Sequence, residues 1–162
     1  MKKKIVLFAV AVVAVIVLLV LLLVPSPKAV VASATIPGTT MNSGDSAIIY
    51  RFAVSAERAD VKIEQIYLTF SQGASLTNLC FYDDSGNQLP GAFYYSSEGM
   101  IRYWPGWPSE AKITVPEGTT KIFNLRGNVT GQGAVSIRME DMTLAKGSVE
   151  GLPTVTITLT IK

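Results

Sequence analysis

The sequence predicts an all-β protein: a single antiparallel β-sandwich of seven to nine strands, preceded by one N-terminal transmembrane or signal helix. Three observations lead to this prediction. Twenty consecutive uncharged apolar residues follow three lysines at the start of the chain. Beyond residue 28 the apolar residues alternate in short runs and have no helical spacing. Gly, Pro, Asn and Asp interrupt these runs about every 8–12 residues, which is typical of sandwich folds.

The apolar run begins at Ile5 and ends at Val24, and it is long enough to cross a membrane. Seventeen of its residues are Ile, Val, Leu or Phe and three are Ala. At about 1.5 Å per helical residue the run covers roughly 30 Å, the thickness of a bilayer core. In lipid it must be helical, because unpaired backbone groups are costly there. We expect it to contact membrane lipid, with the lysines at 2–4 on the cytoplasmic side and the rest outside.

Two fates of this helix stay open. The A-x-A sequence at 32–34, just before Thr35, fits a signal cleavage site and favours a secreted, extracellular protein. The run is longer than the 7–15 apolar residues of an ordinary signal, however, and PSPK at 25–28 ends the helix with a charge at the outer surface. These features favour a retained anchor in the cell membrane, with the C-terminal domain outside.

The chain divides into three predicted parts. Residues 1–28 are a signal-anchor helix, 29–45 are a linker, and 46–162 are an extracytoplasmic sandwich domain. The stretch AVVASATI at 29–36 is apolar and β-prone, so it also qualifies as a donor strand for a neighbour's sheet.

Charge excludes one class of partner for the outer part. Four of the fourteen Lys and Arg precede residue 29, which leaves ten basic residues against twelve acidic ones. A net charge of −2 provides no basic surplus for nucleic acid.

The strands follow from alternation. Apolar residues at 48, 50, 52 and 54 begin the series, and Thr alternates with apolar residues from Thr154 to the C-terminus. The other predicted strands are 61–70 with a bulge at 64–65, 79–82, 92–95, 100–104, 112–115, 121–129 and 134–142. The side chains expected in the core are Phe52, Leu68, Phe70, Phe81, Phe123, Ile137, Val155, Ile157 and Leu159.

Three segments resemble a known module. They are DVKIEQIYLTF at 60–70, LTNLCFYD at 76–83 and ITVPEGTTKIF at 113–123. Their order is similar to that in immunoglobulin-like β-sandwich modules of prokaryotic surface-layer and cell-surface proteins, where L-T-N-L-x-L-Y-D precedes I-x-V-P-A-G-T-T-K-x-F. The resemblance implies an immunoglobulin-like sandwich, and its pattern carries no catalytic residue.

The residue types argue against an enzyme. The chain contains no histidine, which excludes Ser-His-Asp and Cys-His nucleophiles and His-based metal sites. The DDSGN sequence at 83–87 has oxygen ligands but lacks the spacing of a calcium loop, so a hairpin turn explains it. We therefore expect no catalytic residue, no cofactor and no metal.

The aromatic stretch YWPGWP at 103–108 is the strongest candidate for ligand or partner contact. Trp104 and Trp107 flank a Pro-Gly turn, and Tyr94 and Tyr95 lie just upstream. Exposed, these side chains would bind a carbohydrate or a protein. Folded over the open end of the sandwich, they would be a structural lid, with Trp104 the more buried indole.

Asn128 begins the only N-x-T sequon, just before the glycines at 131 and 133. It is a candidate glycosylation site if it lies in an exposed turn.

Three functions remain open. The first is a non-enzymatic, membrane-anchored envelope protein with a structural or adhesive role, which binds other surface proteins or itself. The second is an exported subunit of an extracellular filament that assembles by strand addition. The third is a carbohydrate-binding module that uses the loop of Trp104 and Trp107.

Membrane attachment is directly testable. If the helix is retained, detergent and not high salt should release the protein from membranes, because burial of the apolar run holds it there. The measurement is fractionation of native cells followed by N-terminal sequencing. A mature protein that starts at Thr35 would contradict retention.

Overall fold

The computed structural model describes Val13 and residues 24–36, 38–71, 74–95, 99–106 and 112–162. From residue 24 onward, every helix or strand element of the described residues is a β strand. The twelve strands are β1 (Lys28–Ser33), β2 (Thr40–Met41), β3 (Ser46–Glu57), β4 (Val61–Phe70), β5 (Ala74–Asp83), β6 (Gly91–Tyr95), β7 (Met100–Pro105), β8 (Ile113–Val115), β9 (Thr120–Gly131), β10 (Gly133–Leu144), β11 (Ser148–Glu150) and β12 (Ile157–Ile161).

The predicted N-terminal helix lies outside the described residues, apart from Val13 and Val24. Within the described ranges, no helix has the length and apolar character needed to span a bilayer. Membrane insertion of the run from Ile5 to Val24 therefore stays a prediction.

The strands form two sheets, which confirms the predicted β-sandwich. The first sheet has the order β11-β1-β3-β9-β5, and the second has the order β2-β12-β10-β4-β7-β6, with β8 also paired to β4. The described part has twelve strands, more than the seven to nine expected. Two pairs, β1 with β11 and β12 with β2, are parallel, so the prediction of a wholly antiparallel sandwich is wrong there. Their strands are far apart in the chain, so no hairpin sets their direction.

Residues 28–33 form β1 in the chain's own first sheet; Lys28 was assigned to the predicted anchor helix, and residues 29–33 to the segment interpreted as a linker or donor strand. Strand β1 pairs with β3 along its whole length, and Ala29 and Val31 are buried. Lys28 Nζ lies 2.9 Å from a carboxylate oxygen of Glu150 and 3.1 Å from one of Glu57. The hydrogen bond from Lys28 to Glu150 raises the pKa of the Lys28 ammonium most, and the hydrogen bond to Glu57 raises it further. The sandwich therefore begins well before residue 46.

Aromatic rings fill the centre between the sheets. Phe52 stacks on Phe123 with ring centroids 5.1 Å apart, and it meets the edge of Phe81 at 5.8 Å. Phe81, from the first sheet, lies 4.6 Å from Tyr103 of the second. Of the expected core residues, six are fully buried and two are packed against the core: Phe52, Leu68, Phe81, Phe123, Ile137 and Leu159, then Phe70 and Ile157.

Val155 is the exception, because its side chain is 74% exposed. The expected alternation begins too early: β12 starts only at Ile157. The preceding Thr154 turns inward instead, where its hydroxyl hydrogen-bonds with that of Tyr50 and its backbone N–H donates to the Met139 carbonyl at 3.0 Å. A buried hydroxyl with partners thus reverses the expected parity at 154 and 155.

The bulge expected at 64–65 is confirmed. Ile63 pairs with Leu144 and Gln65 pairs with Thr143, so Glu64 is the extra residue of β4. The bulge lets both Ile63 and Ile66 face the core, although they are three residues apart.

Adjacent residues of β12 test the assignment of faces. Leu159 is fully buried, so Leu159→Ala should cost about 2–5 kcal/mol of unfolding free energy. Thr158 is exposed, and Thr158→Ala should cost far less. Denaturant melts of the two variants provide the measurement, and equal losses would show that the strand faces are misassigned.

Candidate functional site

Two neighbouring strands place the aromatic candidates. In the β6–β7 hairpin Ala92 pairs with Trp104 and Tyr94 pairs with Arg102. Because paired residues share a face, these four side chains lie on the outer face of the second sheet. Arg102 also pairs with Tyr67 of β4, which extends the row across a third strand. We call Tyr94, Trp104, Arg102 and Tyr67 the aromatic face.

Two aromatic side chains of this face, Tyr94 and Trp104, are in contact. The rings of Tyr94 and Trp104 meet edge to face, with centroids 6.3 Å apart and an angle of 64° between their planes. Tyr94 is 56% exposed, and Trp104 is half-buried. Together with Ala92 and Phe93 they line a groove of about 320 Å³. The aromatic face therefore offers an apolar recess that is open to solvent.

Arg102 supplies the positive charge of the aromatic face. Its guanidinium carbon lies 5.4 Å from the centre of the Tyr67 ring, within the range of a cation–π contact. Within the described ranges no carboxylate forms an ion pair with Arg102. The ring of Tyr67 thus positions a charge that remains available to a partner.

Tyr95 points the other way. It follows Tyr94 in the strand and pairs with Ile101, so it faces the interior near the edge of the first sheet. Burial raises the pKa of its phenol, and a backbone hydrogen bond with Leu79 acts in the opposite direction. Tyr95 is nevertheless 42% exposed, because it lies where the two sheets open to solvent. It belongs to the boundary between the sheets and not to the aromatic face.

A glycine and a buried tyrosine hold the hairpin in place. The Tyr103 hydroxyl donates to the Pro90 carbonyl at 2.9 Å, and burial raises the pKa of this phenol. A Cβ at Gly91 would lie only 2.4 Å from the Tyr103 ring, so only glycine fits there. No pattern in the sequence indicated this role, since Gly91 lies between Pro90 and the strand predicted at 92–95.

Trp107 lies outside the described residues, so its contact with ligand or partner stays a prediction. Trp104 is half-buried, which is intermediate between an exposed binding residue and a buried structural lid. Trp104 lines the groove together with Tyr94.

Asn128 lies within β9 and not in the exposed turn that was expected. It pairs with Ser46 on one side and with Thr77 on the other. Its amide nitrogen donates to the Gly44 carbonyl at 3.3 Å, and the residue is half-buried. A glycan at this nitrogen would replace that hydrogen bond, and glycosylation of Asn128 stays a prediction.

The acidic cluster at 83–87 forms a turn. One carboxylate oxygen of Asp83 accepts a hydrogen bond from the Asn87 backbone at 2.8 Å, and the other accepts one from its side chain at 2.9 Å. These bonds, the side-chain one foremost, lower the pKa of Asp83. Gly86 has a φ of 84°, which glycine adopts without strain. Within the described ranges no three His, Cys, Asp or Glu residues are grouped to hold a metal ion.

Comparisons with known proteins leave the family open. No protein-family model matches the chain, and a search of curated proteins gives no match. A cohesin module from a family 33 glycoside hydrolase of Clostridium perfringens has a TM-score of 0.48 at 10% identity, covering 85% of this chain and 97% of that one. A cohesin of Acetivibrio cellulolyticus scaffoldin B, solved in complex with a dockerin, has a TM-score of 0.46 at 8% identity, with 85% and 100% covered. At this similarity neither assigns a function to this chain.

Two tyrosines of the hairpin distinguish a residue that packs in the core from one that is available to bind a partner. Tyr103 is 1% exposed, so Tyr103→Ala should cost about 3–5 kcal/mol of unfolding free energy, as for other buried aromatics. Tyr94→Ala removes a largely exposed ring and should change stability by under about 1 kcal/mol. Denaturant melts measure both. A loss at Tyr94 as large as that at Tyr103 would make the aromatic face structural.

Proposed function

We propose that this protein is a non-enzymatic, protein-binding module displayed outside the cell membrane, and that its partner protein docks on the aromatic face. The N-terminal helix holds it at the membrane, with secretion as the alternative if that helix is cleaved. The groove between Tyr94 and Trp104 carries this proposal, together with the adjacent charge of Arg102, which forms no ion pair with a carboxylate of the described residues.

The residue types of the aromatic face support a protein partner. Trp, Tyr and Arg are the residues most enriched where alanine substitution costs the most binding energy. A flat sheet face with one apolar recess also matches the usual arrangement of an apolar interface centre with a polar rim. The complementary surface would insert an apolar side chain between Tyr94 and Trp104, and it would present a carboxylate to Arg102.

The ring geometry favours a protein over a carbohydrate at this face. A sugar stacks best on aromatic surfaces that lie in one plane, whereas the planes of Tyr94 and Trp104 are 64° apart. An inserted side chain contacts both rings at that angle. The carbohydrate alternative therefore depends on Trp107, outside the described residues.

Filament assembly by strand addition would require a structural rearrangement. Two apolar residues of the suggested donor strand, Ala29 and Val31, are only 0% and 3% exposed in the chain's own sheet. Strand addition to a neighbour would require β1 to leave that sheet and expose both. Docking on the aromatic face requires no such rearrangement.

Site-specific photo-crosslinking in native cells tests the proposal. A benzophenone amino acid at position 94 should yield one discrete crosslinked protein, because the partner covers this position. The matched control is the same probe at Thr158, an exposed position on the second sheet away from the aromatic face. Trp104→Ala and Arg102→Glu should each abolish the product. Identical products from positions 94 and 158, or none at 94, would refute docking at this face.

A further inference from the structure

The outer face of the first sheet carries a second recess, lined by polar side chains. Arg51, Asn124 and Tyr82 lie side by side on β3, β9 and β5 through the strand register. The turn after β5 closes one side, and the recess has a volume of about 240 Å³. This is below the roughly 300–1,000 Å³ of sites that enclose drug-sized ligands, so the recess admits one small unit.

Arg126 supplies a positive charge at this recess. Its guanidinium carbon lies 5.3 Å from the centre of the Tyr82 ring, which holds the side chain beside the recess. No ion pair to Arg126 occurs in the part of the chain that the structure describes. A fixed guanidinium without a carboxylate is a ready site for a planar carboxylate ligand.

Arg51 adds donor capacity. Its Nη2 lies 2.9 Å from Oδ1 of Asp84, which orients the guanidinium. Its Nε–H is buried and has no hydrogen-bond partner among the described residues. Asp84 therefore accepts a hydrogen bond from only one nitrogen of this guanidinium, Nη2. The Nε–H is unusual, because buried donors without partners are rare in folded proteins.

Acceptors lie beside these donors. Asp84 lines the recess and bonds to Arg51 through Oδ1 alone, and the described residues provide no hydrogen bond to its Oδ2. Asn124 is 8% exposed and is held by a 3.2 Å hydrogen bond from its amide to the Asp83 carbonyl. A simple carboxylate uses only the donors and is repelled by Asp83 and Asp84, which both line the recess. A ligand that also carries hydroxyl groups uses the donors and the acceptors together.

We propose that this recess binds a uronic-acid unit of an acidic saccharide. The sugar carboxylate pairs with the guanidinium of Arg126, and Arg51 adds positive charge beside it. The sugar hydroxyls donate to Asp84 and exchange hydrogen bonds with Asn124. This site is independent of the proposed protein docking, because the aromatic face belongs to the other sheet.

Titration of the full-length protein in detergent with D-glucuronate tests the assignment, with the arginine Nε–H signals followed by NMR. Glucuronate should shift the Arg126 signal in a saturable way, whereas D-glucose and acetate should shift it much less. Arg126→Gln should weaken glucuronate binding roughly tenfold or more, as loss of a charge-assisted hydrogen bond implies. Arg126→Lys keeps the positive charge but loses the paired N–H groups of the guanidinium, so its affinity for glucuronate should lie between those of the wild type and Arg126→Gln.

Arg58→Gln is the matched control, since Arg58 is exposed in the turn after β3 and away from the recess; it should bind glucuronate as the wild type does. Thermal melts verify that each variant is folded. Equal responses to acetate and glucuronate would overturn the sugar assignment. Equal responses to glucose and glucuronate would overturn the role of the carboxylate, and no saturable response to glucuronate would overturn the site.

Discussion

The contact of Phe81 with Phe93 and Tyr103 joins the two sheets, and the positions of the surface side chains depend on it. Phe81 belongs to the first sheet, and the other two rings belong to the β6–β7 hairpin of the second, at centroid distances of 5.6 and 4.6 Å. Successive side chains of a strand point to opposite faces. Burial of Phe93 and Tyr103 therefore turns their neighbours Tyr94 and Trp104 outwards, where they form the groove.

Alternation along the chain predicts the sandwich because it reports directly on which side of a strand is buried. It fails where a strand is interrupted: Val155 continues the pattern of β12 in sequence, but the inward hydroxyl of Thr154 resets the parity. It also fails for β1 and β11, which pair residues 28–30 with residues 148–150. No local pattern carries the information that these two segments, distant in sequence, lie side by side.

The two candidate sites differ in how much of each the sequence predicts. Composition draws attention to Trp104 and Tyr94, and strand parity then separates Tyr94 from its neighbour Tyr95. The recess on the first sheet has no such signal. Arg51 and Arg126 come from strands far apart in sequence, and only the register of β3 with β9 brings them to one face. Single arginines in polar stretches are common, so neither attracts notice before the fold is known.

The position of β1 determines how the domain would carry a mechanical load. The first strand of the sandwich begins at Lys28. Tension along this strand acts parallel to it, so it shears the six residue pairs with β3 and the three with β11 together. Breaking many hydrogen bonds at once requires more force than peeling them one by one. The ion pairs of Lys28 with Glu57 and Glu150 lie at the point where that force arrives. In the proposed membrane-anchored form, the anchor would pull on this strand, and the domain would withstand that pull while its aromatic face stayed open to a partner.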